Sequence, residues 1–169
     1  MRPFGRREKP PAEVLARLDR DERVVAWAST PDGDAVLATP LGLWLPAVPQ
    51  RLPWHLVDKA VWRDGRLTVT PAEDTGGGVL VEQPAVSVRL AVPRDLPQTV
   101  RVRVQRAIAY TRHAPLPTGG GVRVVGRRVA GREGLSWQRV YDTGVDPDDP
   151  AVREHTEQLL AEARSEIGG

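Results

Sequence analysis

The chain has no cysteine, one methionine, one phenylalanine and two tyrosines among 169 residues. Without cysteine there is no disulfide, no thiol nucleophile and no thiolate metal site. That absence fits a reducing compartment. The three histidines, His55, His113 and His155, are widely separated and show no metal-ligand spacing. Ser29, Ser87, Ser136 and Ser165 sit in no G-x-S-x-G elbow. No run approaches the roughly 18 apolar residues of a membrane span. The N-terminus, MRPFGRREKPPAEV, is charged and proline-broken, with no apolar stretch of signal-peptide length. These absences predict a soluble cytoplasmic protein that is not an enzyme and carries no cofactor or metal.

Lysine is scarce too. Only Lys9 and Lys59 occur among the 24 basic residues, leaving 22 arginines. Such a bias accompanies GC-rich coding, so the position of the arginines is more informative than their number. The net charge of +2 hides a sharp asymmetry. Residues 100–139 hold nine arginines against Glu133 alone, a net of +8. Residues 140–169 hold eight acids against Arg153 and Arg164, a net of −6.

What is present speaks first of architecture. The run DKAVWRDGRLTVT, residues 58–70, contains Asp64-Gly65, the strongest short hairpin signal, because both residues of a type I′ turn need positive φ. A two-residue loop there sets Trp62 opposite Leu67 and Ala60 opposite Val69, on one apolar face. Trp62 is therefore expected in the core. Trp27, alternating with Val25 over residues 23–29, is expected there as well. Further short strands are predicted over residues 34–39, 42–45, 50–54 and 86–92, with 71–84 as a loose loop. Residues 95–113 read as a helix, with Asp95 at its N-cap and Pro97 in its first turn. A second hairpin is expected over residues 122–130 and 135–142. Its loop holds three to five residues, so its register is open. Asp149-Pro150 then caps a terminal helix whose apolar face comprises Val152, Thr156, Leu159, Leu160, Ala163 and Ile167.

The order is seven short strands, a helix, a hairpin and a helix. The segments GDAVLATPLGLWLP, RLPWHLVDKAVWRDGRLTV and RLAVPRDLPQTVRVRVQRAI resemble the bacterial pleckstrin-homology-like proteins of high-GC Gram-positive bacteria, over roughly residues 20–113. The resemblance implies an α+β fold, a mostly antiparallel small β-barrel or sandwich capped by a helix. It divides the chain into a basic tail with a short helix (1–20), a pleckstrin-homology-like domain (21–113) and a hairpin plus acidic helix packed on it (114–169). Proteins of that family bind lipids, peptides or other proteins.

Other clusters lead nowhere chemically. TGGGV occurs twice, at 75–79 and 118–122, but neither precedes a helix and neither carries the lysine of a phosphate loop. Asp142, Asp146, Asp148 and Asp149 do not match a calcium loop, since Arg153 stands at its twelfth position. Two surfaces remain. Arg101, Arg106, Arg112, Arg123, Arg127, Arg128 and Arg132 form a candidate anion-binding set, unless the acids of the terminal helix neutralise them. Trp44, Trp54 and Trp137 are candidate partner-binding indoles. The expected function is an adaptor module recognising a protein partner. The alternative is nonspecific binding of nucleic acid or anionic lipid through the arginine-rich middle.

Overall fold

The computed structural model describes residues 8–168. The basic tail expected at the N-terminus falls mostly outside them. A one-turn helix α1 (Ala12–Leu15) precedes strands β1 (Ala26–Ser29), β2 (Ala35–Ala38), β3 (Gly42–Trp44) and β4 (Leu52–Pro53). These pair in sequence order as a four-stranded antiparallel sheet. A 3-10 turn over Trp54–Leu56 leads into β5 (Val57–Arg63), β6 (Arg66–Asp74), β7 (Val79–Glu82) and β8 (Val86–Arg89). Helix α2 (Leu96–Ala107), β9 (Ile108–Pro115), β10 (Gly121–Arg127), β11 (Ser136–Tyr141) and α3 (Pro150–Ile167) complete the chain.

The second sheet runs β5-β6-β7-β11-β10-β9 and curls into a half-barrel. Every pairing in it is antiparallel except β7 with β11. Strand β6 is long, and two short strands share one of its edges: β8 pairs with Arg66–Val69 and β7 with Ala72–Asp74. Pro84, which has no N–H to give a ladder, lies in the break between them. A single bridge from Ser29 to Val92 ties this half of the molecule to β1.

The Asp64-Gly65 hairpin has the expected register, with Trp62 opposite Leu67 and Ala60 opposite Val69. Its turn residues have φ of 51° and 74°. The main core lies between the two sheets and is closed by α2, which contributes Leu96, Val100 and Ala107. Alanines 26 and 28 point into it from β1. Their small side chains let the sheet approach the helix closely. Trp27 therefore faces the other way, with Val14, Leu37 and Trp44 in a smaller cluster under α1. A third cluster holds α3 on β9 and β10 through Val152, Leu159, Leu160, Val122 and Val124. Asp149 caps α3 as predicted, its Oδ1 accepting from the backbone N–H of Ala151 at 2.9 Å.

Several sequence expectations are corrected. Residues 71–84 are not a loose loop: β6 continues to Asp74 and returns as β7. Gly78 enables that return. Its φ is +84°, and a Cβ there would stand 2.4 Å from the Trp137 carbonyl oxygen. The helix expected to His113 stops at Ala107, because Ile108, Tyr110 and Thr111 favour a strand and pair with β10. The β10–β11 loop is longer than expected, spanning 128–135, and the register pairs Val122 with Tyr141 and Arg127 with Ser136. Ile167 lies past the docked part of α3 and is exposed.

Trp62 is the largest correction. Its register is as predicted, yet it remains 40% exposed, whereas Leu67 opposite it is buried. It lies near the hairpin tip and lines an open groove beside α2. Trp62→Ala is expected to cost only about 1 kcal/mol, well below the roughly 3–5 kcal/mol of an emptied core indole site. The midpoint of urea unfolding reads the difference directly.

Candidate functional site

β5 is an edge strand. It pairs with β6 on one side and, among the described residues, with no strand on the other. Ladder positions alternate, and the pair flanking a two-residue turn, Arg63 and Arg66, is a hydrogen-bonded one. Alternation then turns the backbone N–H and C=O of Trp62 and Ala60 outward, towards the free edge. The same two side chains line a groove of about 390 Å³ between β5 and α2. Leu67, Pro97 and Val100 form its apolar floor and far wall, and Arg101 stands at its rim. No carboxylate lines it. Val61, on the opposite face of β5, is 53% exposed. The guard residues of this edge are Lys59 and Arg63, both exposed.

The predicted arginine set is divided by the fold. Arg112 lies on β9 and meets Glu162 of α3 at 3.0 Å and Glu166 at 3.7 Å. Arg139 meets Glu157 of the same helix at 3.2 Å. The acidic helix thus masks part of the basic block. Arg123 and Arg127 turn into the half-barrel. Arg123 pairs with the buried Asp58, and Arg127, 1% exposed, donates to the Val57 carbonyl at 3.3 Å. Burial pushes the Asp58 carboxyl up, Glu82 adds to that, and Arg123 opposes it without reversing it. Arg106 and Arg128 come together at the C-terminal end of α2, while Arg132 is exposed on the β10–β11 loop. Only Arg101 of the set borders the Trp62 groove.

The tryptophans also separate. Trp44 and Trp54 are buried, which corrects the expectation of free indoles there. Trp54 Nε1 donates to the Thr39 carbonyl at 2.9 Å. Trp44 Nε1 donates to Glu22 Oε1 at 3.0 Å. Trp137 is half-buried and meets Tyr110 edge-on, with ring centroids 5.6 Å apart. The indole most open to a partner is Trp62, which the turn register had consigned to the core.

Sequence reasoning missed two further groups. His55 is half-buried, and burial followed by the charges of Arg127 and Arg132 holds its imidazole below the usual range. Glu22 organises the four-stranded sheet, through bonds that no local motif announces. The cavity beside His55 contains no carboxylate, so that histidine has no acid–base partner there. Among the described residues no group of three or more His, Asp or Glu side chains is placed to hold a metal ion. Nor is any described helix long and apolar enough to cross a membrane. No protein-family model matches the chain, and no curated protein or solved structure matches it.

Proposed function

We propose that this protein is a non-catalytic recognition module that receives an extended segment of a protein partner along the free edge of β5. One observation carries the reading: outward-facing backbone groups at Ala60 and Trp62 adjoin an apolar groove lined by the same two side chains. Strand addition needs both elements. Main-chain bonds to an edge supply affinity, and pockets for alternate side chains supply specificity. Trp62 offers a large apolar surface with a single N–H donor, a composition common at interface centres. Arg101 lines the groove, and Arg63 and Arg66 are exposed on the opposite face of the same hairpin; this cationic setting favours a partner segment bearing acids between its apolar residues. The packing of α2 across the opening between the two sheets supports the pleckstrin-homology-like reading.

Nonspecific nucleic-acid or lipid binding through residues 100–139 has less support. Arg112 and Arg139 are paired with α3, and Arg123 and Arg127 face inward. What remains is Arg101 at the β5 groove, Arg103, Arg106 and Arg128 at the C-terminal end of α2, and Arg132 exposed on the β10–β11 loop.

A displayed library of random linear peptides selected on the intact protein tests the proposal. Selected sequences are expected to alternate apolar residues with acids. Ala60→Pro removes an outward N–H and is expected to abolish their binding. Trp62→Ala is expected to weaken it about tenfold or more, the cost of a buried interface indole. Peptides that bind both variants as well as wild type would place the interface elsewhere.

A further inference from the structure

We propose that the cavity at the C-terminal end of α2 is a binding site for a small phosphate monoester. It is separate from the β5 groove and does not depend on strand addition. The cavity measures about 310 Å³ and is bounded by α2, the 3-10 turn, the β2–β3 turn and the β10–β11 loop. Its polar lining consists of Arg51, Arg103, Arg106, Arg128 and His55, with no carboxylate.

The arginines are not equivalent. Arg51 is held by Asp19 at 2.6 Å and by Glu22 at 3.2 Å. Arg103, Arg106 and Arg128 form no ion pair among the described residues. Arg128 Nη1 donates to the Arg106 carbonyl at 2.9 Å. That bond anchors one edge of its guanidinium and leaves its other N–H groups free. It also covers a carbonyl of the last turn of α2. A helix C-terminus amounts to only about half a negative charge. Three unpaired guanidinium groups exceed what that half charge requires, so the cavity has a surplus of positive potential.

A phosphate monoester matches this chemistry. Its terminal oxygens carry close to two negative charges and accept the forked N–H pairs that arginine presents. The neutral His55 ring adds a donor without further like-charge repulsion. The other wall is apolar, formed by Pro40, Leu41, Pro53 and Val129. It suits the body of the ester. The volume lies at the small end of ligand cavities, which limits that body to about one ring.

Titration calorimetry on the intact chain tests the site, with inorganic phosphate and phenyl phosphate against sodium chloride at equal ionic strength. Phenyl phosphate is expected to bind at one site and more tightly than phosphate. Arg106→Gln with Arg128→Gln is expected to weaken it at least about tenfold, the loss of charge-assisted bonds. Arg112→Gln, on a residue already paired with α3, is expected to leave affinity unchanged. Melting curves show whether each variant is folded, and Arg103→Gln serves if the double variant is not. Vesicles of phosphatidylcholine with and without phosphatidic acid distinguish the source of the phosphate. Retention that depends on phosphatidic acid and on Arg106 and Arg128 assigns the site to a lipid headgroup. Binding of phenyl phosphate without such retention assigns it to a soluble metabolite. Heats no larger than those of chloride overturn the proposal, as does an equal loss in Arg112→Gln.

Discussion

Glu22→Ala is expected to destabilise the protein by about 3–5 kcal/mol, the usual cost of deleting one partner from a buried charged pair. The Glu22 side chain has no exposed surface. Its Oε1 accepts from Thr39 Oγ1 at 2.6 Å and from Trp44 Nε1 at 3.0 Å. Its Oε2 accepts from the Asp19 backbone N–H at 3.1 Å and from Arg51 at 3.2 Å. One carboxylate thus joins the turn before β1, the end of β2, the indole of β3 and the start of β4. Alanine leaves the Trp44 N–H and the Arg51 guanidinium without their acceptor. Glu22→Gln keeps one acceptor oxygen and is expected to lose less, about 1.5–3 kcal/mol, the range for hydrogen bonds to a charged group.

The same residue sets an acid limit. Burial raises the Glu22 carboxyl, but the bonds from Thr39, Trp44 and Asp19 and the charge of Arg51 outweigh it and hold the group below its ordinary value of 4.5. A depressed folded value means that the unfolded chain takes up its proton first. The stability this adds is complete above about pH 4.5 and is lost as pH falls through the folded value. Urea midpoints of wild type and Glu22→Gln are therefore expected to converge in acid. A difference that stays constant down to acid pH would contradict the assignment.

The elements legible in the sequence are those whose cause is local. Asp64-Gly65 needs only its own backbone conformation to make a hairpin. Asp149-Pro150 needs only the first turn of α3 to make a cap. Strand β7 depends on β6 behind it and on β11, which lies nearly sixty residues further on. Nothing within residues 71–84 reports that partner, so the segment reads as a loop. Strand β9 follows α2 without a breaker, and only pairing with β10 separates strand from helix there. The proposed binding surface was legible in part. The hairpin register put Ala60 and Trp62 on one face, but whether that face is covered depends on where α2 ends and how it crosses. The arginines could be counted but not sorted, because their partners lie on α3 and in the half-barrel. Glu22 carries no signal, since its four donors come from four separate segments.

Removal of residues 148–169 is expected to open the second core while leaving the first intact. Val152, Thr156, Leu159, Leu160 and Ala163 of α3 are buried, against Ala114, Leu116, Val122 and Val124. Tyr141 also donates its hydroxyl to Thr156 at 3.1 Å. Burying a valine or leucine side chain contributes about 1.5–3 kcal/mol. Val152, Leu159 and Leu160 together therefore approach the roughly 5–15 kcal/mol that stabilises a whole domain. The core between β1–β6, β8 and α2 shares none of these side chains. Hydrogen exchange is expected to show lost protection in β9, β10 and β11, with protection retained in β1, β2 and β6. Solubility should fall as the apolar face of β10 meets water. Arg112 and Arg139 lose their acidic partners at the same time. Two freed arginines predict extra DNA retention with a log–log salt slope of about −1.8, a modest gain that vanishes at high salt. A truncated chain that stays soluble and keeps exchange protection throughout β9–β11 would show that α3 is an ornament on a self-sufficient sheet. Loss of that protection, with β1, β2 and β6 still protected, would establish two separately stabilised halves joined through the length of β6.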